Sequence, residues 1–370
     1  MLRPQPRVVS ARPAVDESVL YSFAGGSDGA GPQAGLLKFH GKLYGTTAGG
    51  GGVDDDGTVF EITKTGKEKV LYSFQGGSDG ATPEESLVEV GGALYGATRF
   101  GGIGHGTVFR ITTAGEETVL YRFQGDPDGL SPTSLIAVGD TLYGTTQSGG
   151  AYGQGTVFKI TTNGAYTLLH SFENNYSDGQ SPTGPLISVA GTLYGTTDFG
   201  GLNGYGTVFK ITESGSESLL YSFDQFGGFN PYGGLIDVGG VLYGMTTYGG
   251  KSDVGTVFKI TTGGVLTNLY DFAGGSDGAL PFGGLTKVGG TLYGTTARGG
   301  DNACQDSSLS GCGTIFGITP GGEYSQLYQF TSGSDGAVPV GNLTNVNGKL
   351  YGMTNGGGAK NDGTVFSFAP

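Results

Sequence analysis

One three-part phrase recurs seven times along this chain, and it leaves few folds open. Leu-Tyr-Gly begins at Leu43, Leu94, Leu142, Leu193, Leu242, Leu292 and Leu350. Gly-Thr-(Val/Ile)-Phe follows each, ending at Phe60, Phe109, Phe158, Phe209, Phe258, Phe316 and Phe366. A third element, Leu-(Tyr/His)-x-Phe, ends at Phe23, Phe74, Phe123, Phe172, Phe223, Phe272 and Phe330. From Tyr44 to Tyr351 the repeated tyrosines are spaced 51, 48, 51, 49, 50 and 58 apart. A period near fifty, built of short β-rich runs between Gly and Asp-Gly turns, marks a propeller blade.

Each repeat resolves into four strands. In the second they read as 83–90, 93–98, 106–112 and 118–123, rich in Val, Ile, Thr, Tyr and Phe and separated by Gly-Gly and Ala-Gly steps. The phase of the repeat adds a constraint. The chain opens with a lone fourth strand, 18–23, and ends after a third strand, 363–368. Joining the two closes a ring and removes two exposed edges. The expectation is all-β: a seven-bladed propeller of four antiparallel strands per blade, forming a single domain over 17–370 after a tail at 1–16. Its blades fall near 24–74, 75–123, 124–172, 173–223, 224–272, 273–330 and 331–370, the last completed by 17–23. The 78 glycines would suggest low complexity if scattered. Here they sit at repeating offsets between apolar strands and serve as turn residues.

Connection lengths separate two faces. First-to-second and third-to-fourth connections are tight turns, such as Gly91-Gly92 and Asn163-Gly164. Fourth-to-first and second-to-third loops are longer and emerge together on the other side, where recognition usually resides.

The run Leu-Tyr-Gly-Thr-Thr-x-x-Gly-Gly followed by Gly-Thr-Val-Phe-Lys-Ile-Thr resembles the GloVer-type, choice-of-anchor tandem repeat of bacterial surface proteins, over 18–370. The resemblance implies a secreted or surface-anchored protein with a signal and a C-terminal sorting segment. It implies no activity that transfers residue by residue. Residues 1–17 carry three Arg and three Pro without an apolar core, so no intact secretion signal is read there. Cys304 and Cys312 flank the one large insertion. A bridge between them would contribute at most roughly 2–3 kcal/mol and points to an oxidising, extracellular or periplasmic setting.

Net charge is −13, from 19 basic and 32 acidic residues, which argues against nucleic acid or an anionic membrane as partner. No run approaches the roughly 18 apolar residues of a membrane span. A monomer is expected.

Functional individuality is expected where the repeats differ. Asp28, Asp79, Asp128, Asp178, Asp277 and Asp335 each lie four residues before a Pro. Six copies at one offset read as turn-setting scaffold, with calcium ligation the alternative; otherwise no metal or cofactor is expected. Blade 5 lacks this Asp and carries Phe226 and Phe229 in the same loop. Three series of unlike residues occupy equivalent sites. One runs Ala48, Arg99, Gln147, Asp198, Thr247, Ala297, Asn355; its neighbour runs Gly49, Phe100, Ser148, Phe199, Tyr248, Arg298, Gly356; the third, after the first-strand Pro, runs Gln33, Glu84, Thr133, Thr183, Tyr232, Phe282, Val340. Placed around a channel mouth, they mix charges, amides and rings, as suits a sugar-like ligand. Arg99 would offer a planar fork to it and Tyr248 a ring face.

Of three histidines, His40 lies in a tight turn and His170 replaces a fourth-strand Tyr as packing. His105, in a long loop, could act with Arg99, Glu84 and Tyr152 in polysaccharide elimination or hydrolysis; Tyr205 occupies a comparable loop. Asp54-Asp55-Asp56 reads as a solvated loop tip. No nucleophile elbow, phosphate loop or zinc spacing appears. Three functions compete. A secreted or surface-exposed module binding a carbohydrate or surface partner leads. A polysaccharide lyase or glycoside hydrolase around His105 is the alternative, and a protein–protein scaffold is third.

Overall fold

The computed structural model describes residues 16–300, 304 and 310–370, so the tail read at 1–16 lies outside the described residues apart from Asp16. Seven antiparallel sheets follow one another around a ring, each in the order first, second, third, fourth strand from the inside outwards. In blade 2 the strands are Val88–Val90, Ala93–Thr98, Thr107–Ile111 and Glu117–Arg122. The first is shorter than the expected 83–90. Pro83 has no N–H for a ladder, and residues 84–86 line the central channel instead of pairing. Blade 4 carries an additional short strand, Gly179–Pro182, that pairs with Thr192–Gly200 ahead of Ile187–Val189. Blade 3 departs differently. Its Pro132-Thr133-Ser134-Leu135 has one residue fewer between Pro and Leu than the other blades, and Leu130–Val138 runs as one strand with an irregularity between Pro132 and Ser134.

Packing explains the repeated phrases. The Gly of each Leu-Tyr-Gly faces the Phe of Gly-Thr-(Val/Ile)-Phe across the ladder, as Gly45 faces Phe60. A Cβ at Gly45 would lie 2.6 Å from the Phe60 ring, so the ring covers the glycine and no side chain fits there. The last Thr of Leu-Tyr-Gly-x-Thr bonds the Thr of Gly-Thr-(Val/Ile)-Phe in all seven blades, at 2.7–2.9 Å, satisfying two buried hydroxyls. Every fourth-strand Phe meets the third-strand Phe of the next blade edge-on, with centroids 5.2–5.4 Å apart. Each pair adds roughly 0.5–1.5 kcal/mol beyond its area burial, so the blades are joined by a ring of aromatic contacts.

Closure runs as the phase of the repeat implies. Asp16–Ser22 pairs antiparallel with Thr364–Ala369 as the outermost strand of blade 7, and Phe23 packs into blade 1 against Phe60. The two long-loop classes share one face. Bridges such as Ala30 with Gly49, Ala81 with Phe100 and Phe229 with Tyr248 tie each fourth-to-first loop to the neighbouring second-to-third loop. On that face Cys304 and Cys312 form a disulfide. Among the described residues no helix is long and apolar enough to cross a membrane.

The repeated Asp sets its turn. Asp28 accepts the Tyr21 hydroxyl at 2.8 Å and the Ala24 N–H at 2.9 Å. Asp79, Asp128, Asp277 and Asp335 repeat both bonds, with Tyr72, Tyr121, Tyr270 and Tyr328 as phenols. At Asp178 the phenol is replaced by His170. In blade 5, Asp224 instead accepts the Gly227 N–H. Asp54 and Asp55 are exposed at a loop tip.

Candidate functional site

A cavity of about 360 Å³ occupies the centre of the ring at the start of the first strands, and all seven blades line it. Its wall is uneven because of one position, the second after each first-strand Pro: Ala34, Glu85, Ser134, Gly184, Gly233, Gly283 and Gly341. Four glycines in sequence let backbone meet backbone. A Cβ at Gly233 would lie 2.3 Å from the Gly283 carbonyl, and one at Gly341 2.1 Å from that of Ala34. Blades 2 and 3 break the pattern with Glu85 and Ser134, so side-chain chemistry gathers on their side.

Four blades contribute to that group. Arg99 Nη1 donates to Glu84 Oε2 at 2.9 Å and Nη2 to Gln147 Oε1 at 3.2 Å. Gln33 Nε2 donates to Glu84 Oε1 at 3.4 Å. Thr183, on the cavity wall, donates to the buried Asp198 at 3.2 Å. Tyr232 and Phe282 continue the cavity wall, edge to face with centroids 5.5 Å apart. A side recess of about 10 Å³, room for about one water, lies between Arg99, Gln147, Thr133 and Tyr232. Ser134 Oγ and Arg99 Nε are buried without a hydrogen-bond partner among the described residues. Two orphan donors at one site are a mark of polar binding surface.

Electrostatics sort the carboxyls into two kinds. Glu84 is engaged by Arg99 in an ion pair at 2.9 Å. Enclosure pushes Glu85 well above the usual range, the adjacent Glu84 charge adds to the rise, and Arg99 opposes it. Glu85 keeps partial contact with the channel while protein surrounds it. Burial raises Asp198 to about 7 against the bond from Thr183. Burial, then the charges of Glu85, Asp198 and Glu84, keep the Tyr232 phenol protonated up to about 12, with Arg99 opposing. The site thus combines the Arg99–Glu84 ion pair, a Glu85 carboxyl whose enclosure favours its protonated, donating form, and a neutral phenol.

The expected residues divide into three groups. Glu84 and Tyr232 line the cavity, Arg99 and Gln147 the recess, and Asp198 supports Thr183 from behind. The Arg99 fork, expected to face a ligand, is taken up by Glu84 and Gln147. Phe100, Phe199 and Tyr248 directly follow Arg99, Asp198 and Thr247 in the chain and are exposed, at 47%, 50% and 38%; Arg99 sits 5.4 Å over the Phe100 ring. Tyr205 packs on Phe229, which stacks on Tyr248 at 5.5 Å. Arg298 bridges Ala279, and the Asn355 amide lies beside Gly31. Tyr152 is exposed at a loop tip. His105 is not among the cavity-lining residues; its imidazole packs over Gly125 in the next inter-blade loop. Ser86, Ser134 and Asn342 also line the cavity and lie outside the three series of unlike residues. The one-residue deletion before Leu135 marks Ser134 in the sequence; nothing there marks the other two.

The architecture and its polar central cavity define a β-propeller assembled from tandem repeats. The chain belongs to the Gloeobacter/Verrucomicrobia repeat family, whose model matches residues 7–141 and 104–307. No curated protein matches the chain. Among solved structures, PorZ, a surface component of the type-IX secretion system of Porphyromonas gingivalis, aligns with TM-score 0.56 at 13% identity, over 94% of this chain and 47% of PorZ. The computationally designed Ika8 protein aligns with TM-score 0.54 at 14% identity, over 94% and 98% of the two chains. A putative 6-phosphogluconolactonase from Bacteroides uniformis gives 0.50 at 16% identity, over 79% and 82%. At such identities the likeness is one of fold alone.

Proposed function

We propose that this propeller is a secreted or surface-exposed binding module that takes a hydroxyl-rich ligand of the carbohydrate class at the mouth of its central channel. The observation that carries the reading is the one-sided wall. Glycines close blades 4 to 7 backbone to backbone, whereas blades 2 and 3 present Glu85 and Ser134 into a cavity of about 360 Å³. That volume lies within the range of small-ligand sites, which run from roughly 300 to 1,000 Å³. Glu85, whose enclosure favours the protonated form, and the Tyr232 hydroxyl can donate to ring or hydroxyl oxygens, while Glu84 and Gln33 can accept from hydroxyls. The faces of Tyr232 and Phe282 suit the C–H side of a sugar. The Cys304–Cys312 disulfide supports an oxidising location.

The test is a glycan array with the intact chain, followed by chemical-shift or crystallographic mapping of any ligand found. Glu85→Gln and Tyr232→Ala should each weaken binding by roughly 1–3 kcal/mol, and His105→Ala should leave it unchanged. A ligand mapped to the tight-turn face would end this reading.

A second reading, hydrolysis or elimination on a polysaccharide, draws support from the raised Glu85 and Asp198 near the Arg99-paired Glu84. Neighbouring carboxyls in unlike environments are the usual equipment of acid–base catalysis. Assays for new reducing ends and unsaturated uronates separate the two. A catalyst should lose turnover by orders of magnitude in Glu85→Gln while still binding substrate; a binding module has no turnover to lose.

A further inference from the structure

Six of the seven inter-blade seams carry a fourth-strand tyrosine, and the seam between blades 3 and 4 carries His170 in its place. His170 packs edge-on against Phe172 at 4.8 Å, as a tyrosine would, but its Nε2 lies 3.0 Å from Asp178 Oδ2. From the facing blade, Glu217 enters at the start of the strand Glu217–Ser222. The ligand atoms of these three side chains all lie within 4.8 Å of one another. Glu217 Oε1 is buried and has no hydrogen-bond partner among the described residues.

We propose that His170, Asp178 and Glu217 form a binding site for a divalent transition-metal ion of the zinc type. Such an ion bonds imidazole nitrogen and carboxylate oxygen at roughly 2.0–2.2 Å, which sets the donors about 3.4 Å apart around a tetrahedron. The observed spacing needs only small side-chain shifts to reach that. Two carboxylates offset the ionic charge, and the imidazole selects a zinc-like ion over calcium or magnesium. Asp178 is oriented from outside the cluster: the Gly179 N–H donates to Oδ1 at 2.8 Å and the Glu173 N–H to Oδ2 at 2.9 Å. Backbone bonds of this kind fix a ligating carboxylate. The ion would replace the proton that His170 and Asp178 share.

The other carboxylate seams are internal controls. At Tyr21–Asp28–Glu68 and Tyr72–Asp79–Glu117 the third group is a phenol donating to the Asp at 2.8 Å. Burial and the adjacent Asp push the ionisation of those phenols upward, so they keep their proton and offer no anionic ligand. The loop also differs. Asp178 stands eight positions after His170, against seven in the phenol seams.

The experiment titrates Zn2+ into chelator-treated, disulfide-intact full-length protein by calorimetry, with Co2+ as a spectroscopic probe and Ca2+ as a comparison. One Zn2+ per chain is expected, with a Co2+ visible spectrum of low coordination number and far weaker Ca2+ binding. His170→Tyr restores the residue of the other seams and should fold; melting and circular dichroism verify that. It should lower Zn2+ affinity by more than the roughly 10–100-fold typical of losing an outer-shell partner, and Glu217→Gln should do the same. His105→Ala and His40→Ala should leave affinity unchanged. Absence of Zn2+ binding, binding that survives His170→Tyr or Glu217→Gln, or a preference for Ca2+ would each overturn the proposal.

Discussion

At the scale of single residues, glycine is used here to admit something larger. Gly144 is the Gly of the third Leu-Tyr-Gly, and a Cβ there would lie 2.6 Å from the Phe158 ring and 2.7 Å from the Ser134 carbonyl. The ring is fully buried between blades, and Ser134 belongs to the cavity wall. Neither can retreat without disturbing a neighbour. Gly144→Ala should therefore destabilise by roughly 1–3 kcal/mol through overpacking, read as a lower denaturant midpoint at unchanged slope. An alanine at Gly290, where nothing lies within 4 Å, should be nearly neutral. Equal effects at the two positions would mean that backbone freedom, not room for the ring, fixes the glycine in Leu-Tyr-Gly.

At the scale of strands and loops, the closing strand carries the largest expectation. Asp16–Ser22 completes blade 7, Phe23 is fully buried, and Tyr21 bonds Asp28 across the seam into blade 1. Deleting residues 1–23 should cost at least the roughly 3–5 kcal/mol of removing one buried Phe. It should also bare the edge of Thr364–Ala369 to intermolecular pairing. Lower melting with concentration-dependent association in size-exclusion chromatography checks both effects. A truncated monomer that melts like the intact chain would refute the closure energetics. The closure was readable from the split repeat, and the loop face from connection lengths, because both are properties of order along the chain. Strand extent before Leu87 was not. Periodicity marks apolar residues, whereas Pro83 and the channel decide where the ladder can start. The candidate site was legible in the same uneven way. Unlike residues at equivalent positions pointed to Glu84, Arg99 and Tyr232, which line the cavity or its recess. The roles of Glu85 and Ser134 emerge only once neighbouring glycines are seen to touch, and the position of His105 over Gly125 depends on a loop path that spacing does not encode.

At the scale of the ring, the outer seams hold the molecule's pH response. Seven fourth strands each present one residue to the preceding blade: Glu17, Glu68, Glu117 and Glu217 at four seams, Tyr166 and Tyr324 stacked on Tyr121 and Tyr270 at two, and Leu266 at the last. Glu17, Glu68 and Glu117 are each raised to about 7, mainly by burial. The negative charges of Asp335, Asp28 and Asp79 add to the rise; Tyr328 and Tyr21 oppose it by hydrogen bonding at the first two seams, and Arg122 by its charge at the third. In the unfolded chain these groups titrate near 4.5. Between about pH 4.5 and 7 the folded ring therefore binds more protons than the unfolded chain, and stability falls as pH rises through that window. Below it the carboxyls are neutral in both states and the penalty is absent; above about pH 7 it is complete. The melting temperature should be higher near pH 5 than near pH 8, with most of the change between them. Replacing Glu17, Glu68 and Glu117 together with Gln keeps their shape and gives each Asp a donor while removing the buried charge. The triple variant should match the wild type near pH 5, exceed it near pH 8 and show a flatter profile in metal-free buffer. Parallel profiles would mean that these three carboxyls stay solvated at the seams and that the pH response lies elsewhere, at Glu217, Glu85 or Asp198.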